Sequence, residues 1–155
     1  MTVRIQAATE TDIGPLVALS KKTIVASYSS FLGDGAVAAY LDSGAVDQYV
    51  ADSIGRCLVL VEDEAVAGFS VAKDNLIDLM MIDSDCHRRG LGTHLLRHVE
   101  NLLFETNDEL VLESFKDNAP ANVFYRKNEW VQTRALVDED SGIEKIEFRK
   151  SPTAS

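Results

Sequence analysis

His87-Arg88-Arg89-Gly90-Leu91-Gly92-Thr93 puts a histidine and two arginines beside two glycines spaced two apart. Those residue types suit a phosphate. Glycine lets the main chain turn with no Cβ in the way, and the first N–H groups of a helix have no intrahelical partner and can point at an anion. Two elements must position the stretch. Upstream, Leu76-Ile77-Asp78-Leu79-Met80-Met81-Ile82 is apolar at every position except Asp78, as a strand covered on both faces reads. Downstream, Leu91, Leu95, Leu96, Val99, Leu102 and Leu103 recur at helical spacing, which predicts a helix from about Gly90 to Phe104 with one face inward. The stretch lacks the first glycine and the spacing of G-x-G-x-x-G, and it lacks the Gly-Lys-Ser/Thr ending of a P-loop. By themselves, two glycines at a strand-to-helix junction fit a plain tight turn equally well.

The rest of the chain reads as alternating elements. Val3–Ala7 is a first strand, and Thr9 or Thr11 can cap a helix through Ile13, Leu16, Val17, Leu19, Ile24 and Val25 to about Tyr28, with Pro15 early enough to be tolerated. Ser29–Gly35 breaks the pattern. Short helices follow around Ala36–Leu41 and Val46–Ile54, separated by Asp42-Ser43-Gly44. Cys57–Val61 and Ala65–Val71 form a hairpin about Glu62-Asp63-Glu64 and lead into the Asp78 strand. After the Gly90 helix come a strand at Glu109–Phe115, a helix at about Ala119–Lys127, and strands near Trp130–Val137 and Ile143–Phe148. Residues 1–150 are expected to form one domain, with a frayed tail at Ser151–Ser155.

Composition narrows the classes. A chain of 155 residues buries about 70% of its unfolded surface and needs no staples. It shows no charged-then-apolar leader and no apolar run of the roughly 18 residues a membrane span needs, so a soluble cytoplasmic protein is expected. Cys57 and Cys86 fit a reducing compartment and are neither a zinc site nor a disulfide framework. His94 and His98 stand four apart on one predicted helix, yet no H-E-x-x-H accompanies them and no metal is expected. The net charge of −10 argues against a nucleic-acid partner and favours an amine-bearing or cationic substrate, although an acidic surface also serves solubility alone. That charge opposes a polyanion, but charges beyond a Debye length of about 8 Å are screened, whereas each charge-assisted hydrogen bond at the loop contributes about 1.5–3 kcal/mol.

The loop resembles the acyl-CoA pyrophosphate loop of the GNAT-superfamily N-acetyltransferases, Q/R-x-x-G-x-G/A. Gly90 and Gly92 match, and His87 stands where the family prefers Gln or Arg. Val61-Glu62-Asp63 followed by Val66-Ala67-Gly68-Phe69 is similar to the family hairpin ending in Val-Gly-Phe. Asn118-Ala119-Pro120-Ala121-Asn122-Val123-Phe124-Tyr125 matches the family's N-x-x-A-x-x-F-Y. In Arg126-Lys127-Asn128-Glu129-Trp130, Glu129 replaces the glycine of the usual Gly-Phe ending, which leaves Asn128 to adopt the left-handed helix stop. The resemblance covers most of the chain and is specific from Leu76 to Trp130. It implies the α+β GNAT fold, in the order β-α-α-β-β-β-α-β-α-β-β, with a mixed sheet of about seven strands splayed between the fourth and fifth.

The same resemblance implies an acetyl-CoA-dependent N-acetyltransferase acting on a small cationic amine or a peptide amine by direct attack, with no metal. The alternative is a non-catalytic acyl-CoA-binding module of the same fold, acting through a protein partner. The main chain at Met80, Met81 and Ile82 would pair with the pantetheine arm. N–H groups from Arg88 through Gly90, Leu91 and Gly92 to Thr93 would hold the pyrophosphate, with His87, Arg88 and Arg89 adding charge. Asn118 would bond the cofactor arm or position the helix start, and Tyr125 would give a proton to the departing CoA thiolate. Asp78 is the first candidate base. It is the only acid in its strand, and by parity it shares a face with Met80 and Ile82, where burial would raise its pKa. Glu113 is the reserve. Asp138, Glu139 and Asp140, with Tyr28 and Phe31, would border the acceptor. A homodimer is plausible by family analogy, and neither nucleic acid nor membrane is expected as a partner.

Overall fold

The computed structural model describes residues 2–86, 90–139 and 141–152. Seven strands, β1 (Val3–Ala7), β2 (Cys57–Glu62), β3 (Ala65–Lys73), β4 (Leu76–Ile82), β5 (Leu110–Phe115), β6 (Val131–Val137) and β7 (Glu144–Lys150), form one sheet in the order β1-β2-β3-β4-β5-β7-β6. Every neighbouring pair is antiparallel except β4–β5, which is parallel. The helices are α1 (Ile13–Leu32), α2 (Asp34–Asp42), α3 (Ala45–Ser53), α4 (Leu91–Phe104) and α5 (Ala119–Lys127).

Alternation along the strands divides the core in two. Val59 and Val61 of β2, with Phe69 and Val71 of β3, pack against Leu16, Leu19, Val37, Val46 and Val50 of α1–α3. Leu60 faces the other way, joining Ala67, Ile77, Leu112 and Phe148 beneath Leu91, Leu95, Leu96 and Val99 of α4 and Tyr125 of α5. Each fully buried Leu or Val contributes about 1.5–3 kcal/mol, so both sheet faces are sealed by the stripes the sequence pattern predicts.

Two boundaries differ from expectation. Helix α1 continues through Ser29 and Ser30 to Leu32, because serine only weakly disfavours helix; the stop comes at Gly33, where φ is 89°. The following stretch is two helices parted at Gly44, with φ 82°, as the residue pattern predicts, so three helices separate β1 from β2 where the family's element order has two. At the end of α5, Asn128 sits at φ −95° and Glu129 itself takes the left-handed conformation, at φ 70°. Asn128 is held by its own side chain, whose Nδ2 donates to the Phe124 carbonyl at 2.9 Å, so the positive φ passes to the next residue. A side chain there is strained. Glu129→Gly should stabilise the fold by about 0.5–1 kcal/mol, read as a rise of roughly 2–4 °C in Tm by thermal denaturation.

The C-terminal strand is pinned by a buried ionic cluster. The Lys150 ammonium donates to Glu100 Oε1 at 2.7 Å and to the Asn128 carbonyl at 2.9 Å, while Trp130 Nε1 donates to Glu100 Oε2 at 2.8 Å. Glu100 is 4% exposed and Lys150 9%. One carboxylate thereby ties α4, the end of α5 and β7 together. Of the expected frayed tail, residues 153–155 lie outside the described residues.

Candidate active site

Parallel strands β4 and β5 pair at only two positions, Leu76 with Val111 and Ile77 with Leu112. Beyond them β4 runs on to Ile82 beside β3, and β5 to Phe115 beside β7, with no further β4–β5 pairs, so the sheet opens as the resemblance implies. A cavity of about 550 Å³ occupies the opening. Met80, Met81 and Ile82 form its β4 wall, and Gly90, Gly92 and Thr93 bring the start of α4 to it. Asn118, Phe124 and Tyr125 contribute the α5 side. The β4 and α5-side residues, 36–45 positions apart along the chain, are therefore gathered around one space with the start of α4. Leu91 turns its side chain into the core, 4% exposed, and only its main-chain N–H belongs to the expected role. His87, Arg88 and Arg89 lie outside the described residues.

The glycines have separate reasons. Gly90 precedes α4 with φ 77°, a conformation that favours glycine and lets the chain turn from β4 into the helix. At Gly92, a Cβ would meet the Phe124 ring at 3.3 Å, so its small size sets how closely α4 approaches α5. Asn118 caps α5, its Oδ1 accepting the Ala121 N–H at 3.4 Å, and thus positions the helix that carries Tyr125.

Tyr125 is 8% exposed, its ring set among Trp130 and Phe148 with centroids at 6.4 and 5.7 Å. Burial pushes the phenol pKa well above its ordinary value, and the neighbouring Tyr28 phenol pushes the same way. The hydroxyl stays protonated at neutral pH, which a proton donor requires. Tyr28 lines the same cavity and forms an aromatic trio with Phe31 and Phe115, at centroid separations of 5.4 to 5.9 Å.

Sequence reasoning missed Thr23 and Ser27. They complete the α1 wall, one turn apart, and Thr23 Oγ1 is buried with no hydrogen-bond partner among the described residues. The inward positions Leu16, Leu19, Ser20, Thr23 and Ser27 advance by three or four residues, so hydroxyls on that stripe were the available signal.

Neither proposed carboxylate reaches this space. Asp78 is the extra residue of a β-bulge: Val71 pairs with Leu79 and Ala72 with Ile77, leaving Asp78 opposite nothing. The bulge resets the alternation, so Ile77 packs under α4 while Leu79, two residues on, packs against the α1–α3 side. The parity expected from the sequence is therefore wrong. Asp78 is exposed, and Tyr49 of α3 donates to its Oδ2 at 2.5 Å, instead of its carboxylate lying buried beside Met80 and Ile82. Glu113 is exposed too, with Lys145 Nζ at 3.6 Å, in a separate cleft that also holds Asp138 and Glu139. Asp138 accepts hydrogen bonds from the Ser141 hydroxyl and N–H at 2.6 and 3.0 Å, which lower its pKa. Asp140 lies outside the described residues. His94 and His98 are exposed on α4, and among the described residues no three His, Cys, Asp or Glu side chains are grouped to hold a metal.

An open parallel pair, a helix start and a buried phenol stand around one cavity. Comparison with known proteins gives the family. Residues 14–130 match the model of the acetyltransferase (GNAT) family, and the chain belongs to that family. No curated protein matches the sequence. Among solved structures, apo YjaB from Escherichia coli superposes with a TM-score of 0.81 at 21% identity, covering 96% of this chain and 97% of its own. The GCN5-related N-acetyltransferase from Rhodopseudomonas palustris superposes at 0.83 with 18% identity, over 98% and 97% of the two chains. The PaiA N-acetyltransferase from Thermoplasma acidophilum, solved in complex with coenzyme A, gives 0.79 at 16% identity over 95% and 98%.

Proposed function

We propose that the chain transfers an acetyl group from acetyl-CoA to a primary amine, by direct attack within a ternary complex. The observation that carries this reading is the end of β4, bonded to β3 but parted from β5, at the cavity that also holds the start of α4 and the buried Tyr125 phenol. The main chain at Met80–Ile82 binds the pantetheine arm as an added strand would. N–H groups at the start of α4 hold the pyrophosphate, with His87, Arg88 and Arg89 supplying charge. Asn118 fixes the α5 start. The amine nitrogen bonds to the thioester carbon, the carbon–sulfur bond breaks, and Tyr125 donates its proton to the sulfur.

The acceptor approaches from the α1 side, past Tyr28, and is a small cationic amine or a peptide amine. An alkylamine of pKa about 10.4 is only about 0.1% neutral near pH 7.4, a cost of about 4 kcal/mol, so its proton must be removed. Asp78 and Glu113 both lie outside the cavity wall, so we assign this step to water reaching the bulk. Asp78→Asn and Glu113→Gln are each expected to keep the rate within about twofold, with an unchanged pH–rate profile; a shifted profile in either would return that carboxylate to the mechanism.

The decisive experiment is thiol release from acetyl-CoA with a panel of polyamines, aminoglycosides, amino acids and N-terminal peptides, beside a calorimetric titration of acetyl-CoA. Binding with CoA release on one amine class establishes the transferase. Binding with no release on any acceptor favours the non-catalytic acyl-CoA module, and no binding removes the cofactor reading.

A further inference from the structure

Lys22 lies on α1 directly before Thr23, which lines the cavity. Its ammonium donates to Asp83 Oδ1 at 2.7 Å and to Asp85 Oδ2 at 2.5 Å, across 61 and 63 residues of chain. Both acids belong to the turn that leaves β4. Asp83 follows Ile82 and Asp85 precedes Cys86, and Ile82 and Cys86 both line the cavity. The turn is built on Asp83: its N–H donates to the Ala67 carbonyl at 2.8 Å, its carbonyl accepts the Cys86 N–H at 2.8 Å, and its side chain accepts the Asp85 N–H at 2.9 Å. The chain therefore enters its anion-binding loop through two carboxylates, on a protein whose net charge is already −10.

We propose that Lys22 is a positioning residue of the cosubstrate site: it fixes the post-β4 turn to α1 and sets a positive charge against Asp83 and Asp85 at the entry to the loop that would hold the CoA phosphates. This inference rests on the acyl-CoA reading. The ammonium is held charged by its two partners, since the hydrogen bonds it donates to Asp83 and Asp85 raise its pKa. The Lys22 side chain is 43% exposed and that of Asp85 79%, so the pair with Asp85 adds little to stability, while Asp83, 20% exposed, anchors the turn. Its effect falls instead on a multiply charged ligand bound close by, where charges within a Debye length still act.

The test is calorimetric titration of acetyl-CoA into the wild type, Lys22→Met, Lys22→Arg and the triple variant Lys22→Met/Asp83→Asn/Asp85→Asn, at about 50 mM and 500 mM salt, with steady-state kinetics on each. Lys22→Met should weaken binding about 10-fold at low salt and only about 2–3-fold at high salt, raise KM in parallel, and leave kcat within about twofold. Lys22→Arg should stay near wild type, and the triple variant should recover to within about threefold of it. Equal binding by Lys22→Met and wild type at low salt overturns the inference. So does a loss that is the same at both salts and is not recovered when the carboxylates are removed, because that is how a purely structural role behaves. No binding by the wild type overturns the acyl-CoA reading and this inference with it.

Discussion

Tyr125→Phe is expected to lower kcat about 100-fold and leave the affinity for acetyl-CoA nearly unchanged. The phenyl ring preserves the contacts with Trp130 and Phe148, so the variant loses a hydroxyl and little packing. A positioned general acid contributes about 10²–10⁴-fold, and its removal acts on the step in which sulfur departs, not on binding. The pH dependence has a definite sign. Burial raises the phenol pKa, so the protonated donor is lost only above the ordinary phenol value of about 10, and Tyr125 imposes no fall in rate across the neutral range. Steady-state kinetics with a calorimetric Kd separate the two effects. Full turnover in Tyr125→Phe would remove the residue from the mechanism.

Glu100→Leu should be strongly destabilising. It strands the Lys150 ammonium, 9% exposed, without its counter-charge and removes the acceptor from Trp130 Nε1. Breaking a buried pair from one side costs about 3–5 kcal/mol, which for a chain of 155 residues lowers Tm by roughly 10 °C or more. The double variant Glu100→Leu/Lys150→Met should recover most of that loss, because no charge is left behind. Thermal unfolding of the two singles and the double checks it, and a Glu100→Leu protein as stable as wild type would show that the cluster carries no stability.

The contrast between these residues shows what a sequence makes legible. Strand β4 and helix α4 were readable because burial on both faces and on one face leave different periodicities, and because Gly90 and Gly92 mark the turn between them. Asn118 and Tyr125 were readable through a motif with fixed spacing. Asp78 was misplaced because parity assumes an unbroken pleat, and one bulged residue shifts the phase of the strand without altering any residue type. Residue type alone places the left-handed stop one residue early, because Asn128 tolerates that conformation better than Glu129, yet the Asn128 side chain is engaged in bonding Phe124. Lys22 with Asp83, and Glu100 with Lys150, are contacts between residues 61 and 50 positions apart. No local pattern announces them.

The two-residue junction of β4 and β5 also bears on amide hydrogen exchange. Interior strands ordinarily exchange slowest, because both rows of their backbone groups are paired. Strand β4 is fourth of seven, yet past Ile77 it has β3 as its neighbour and no longer pairs with β5, so part of the Leu79–Met81 segment is expected to exchange as a border strand does. A ligand that occupies that ladder slows those few amides and spares the rest of the sheet, so deuterium uptake at the centre of the molecule reports occupancy even where no acceptor has been found.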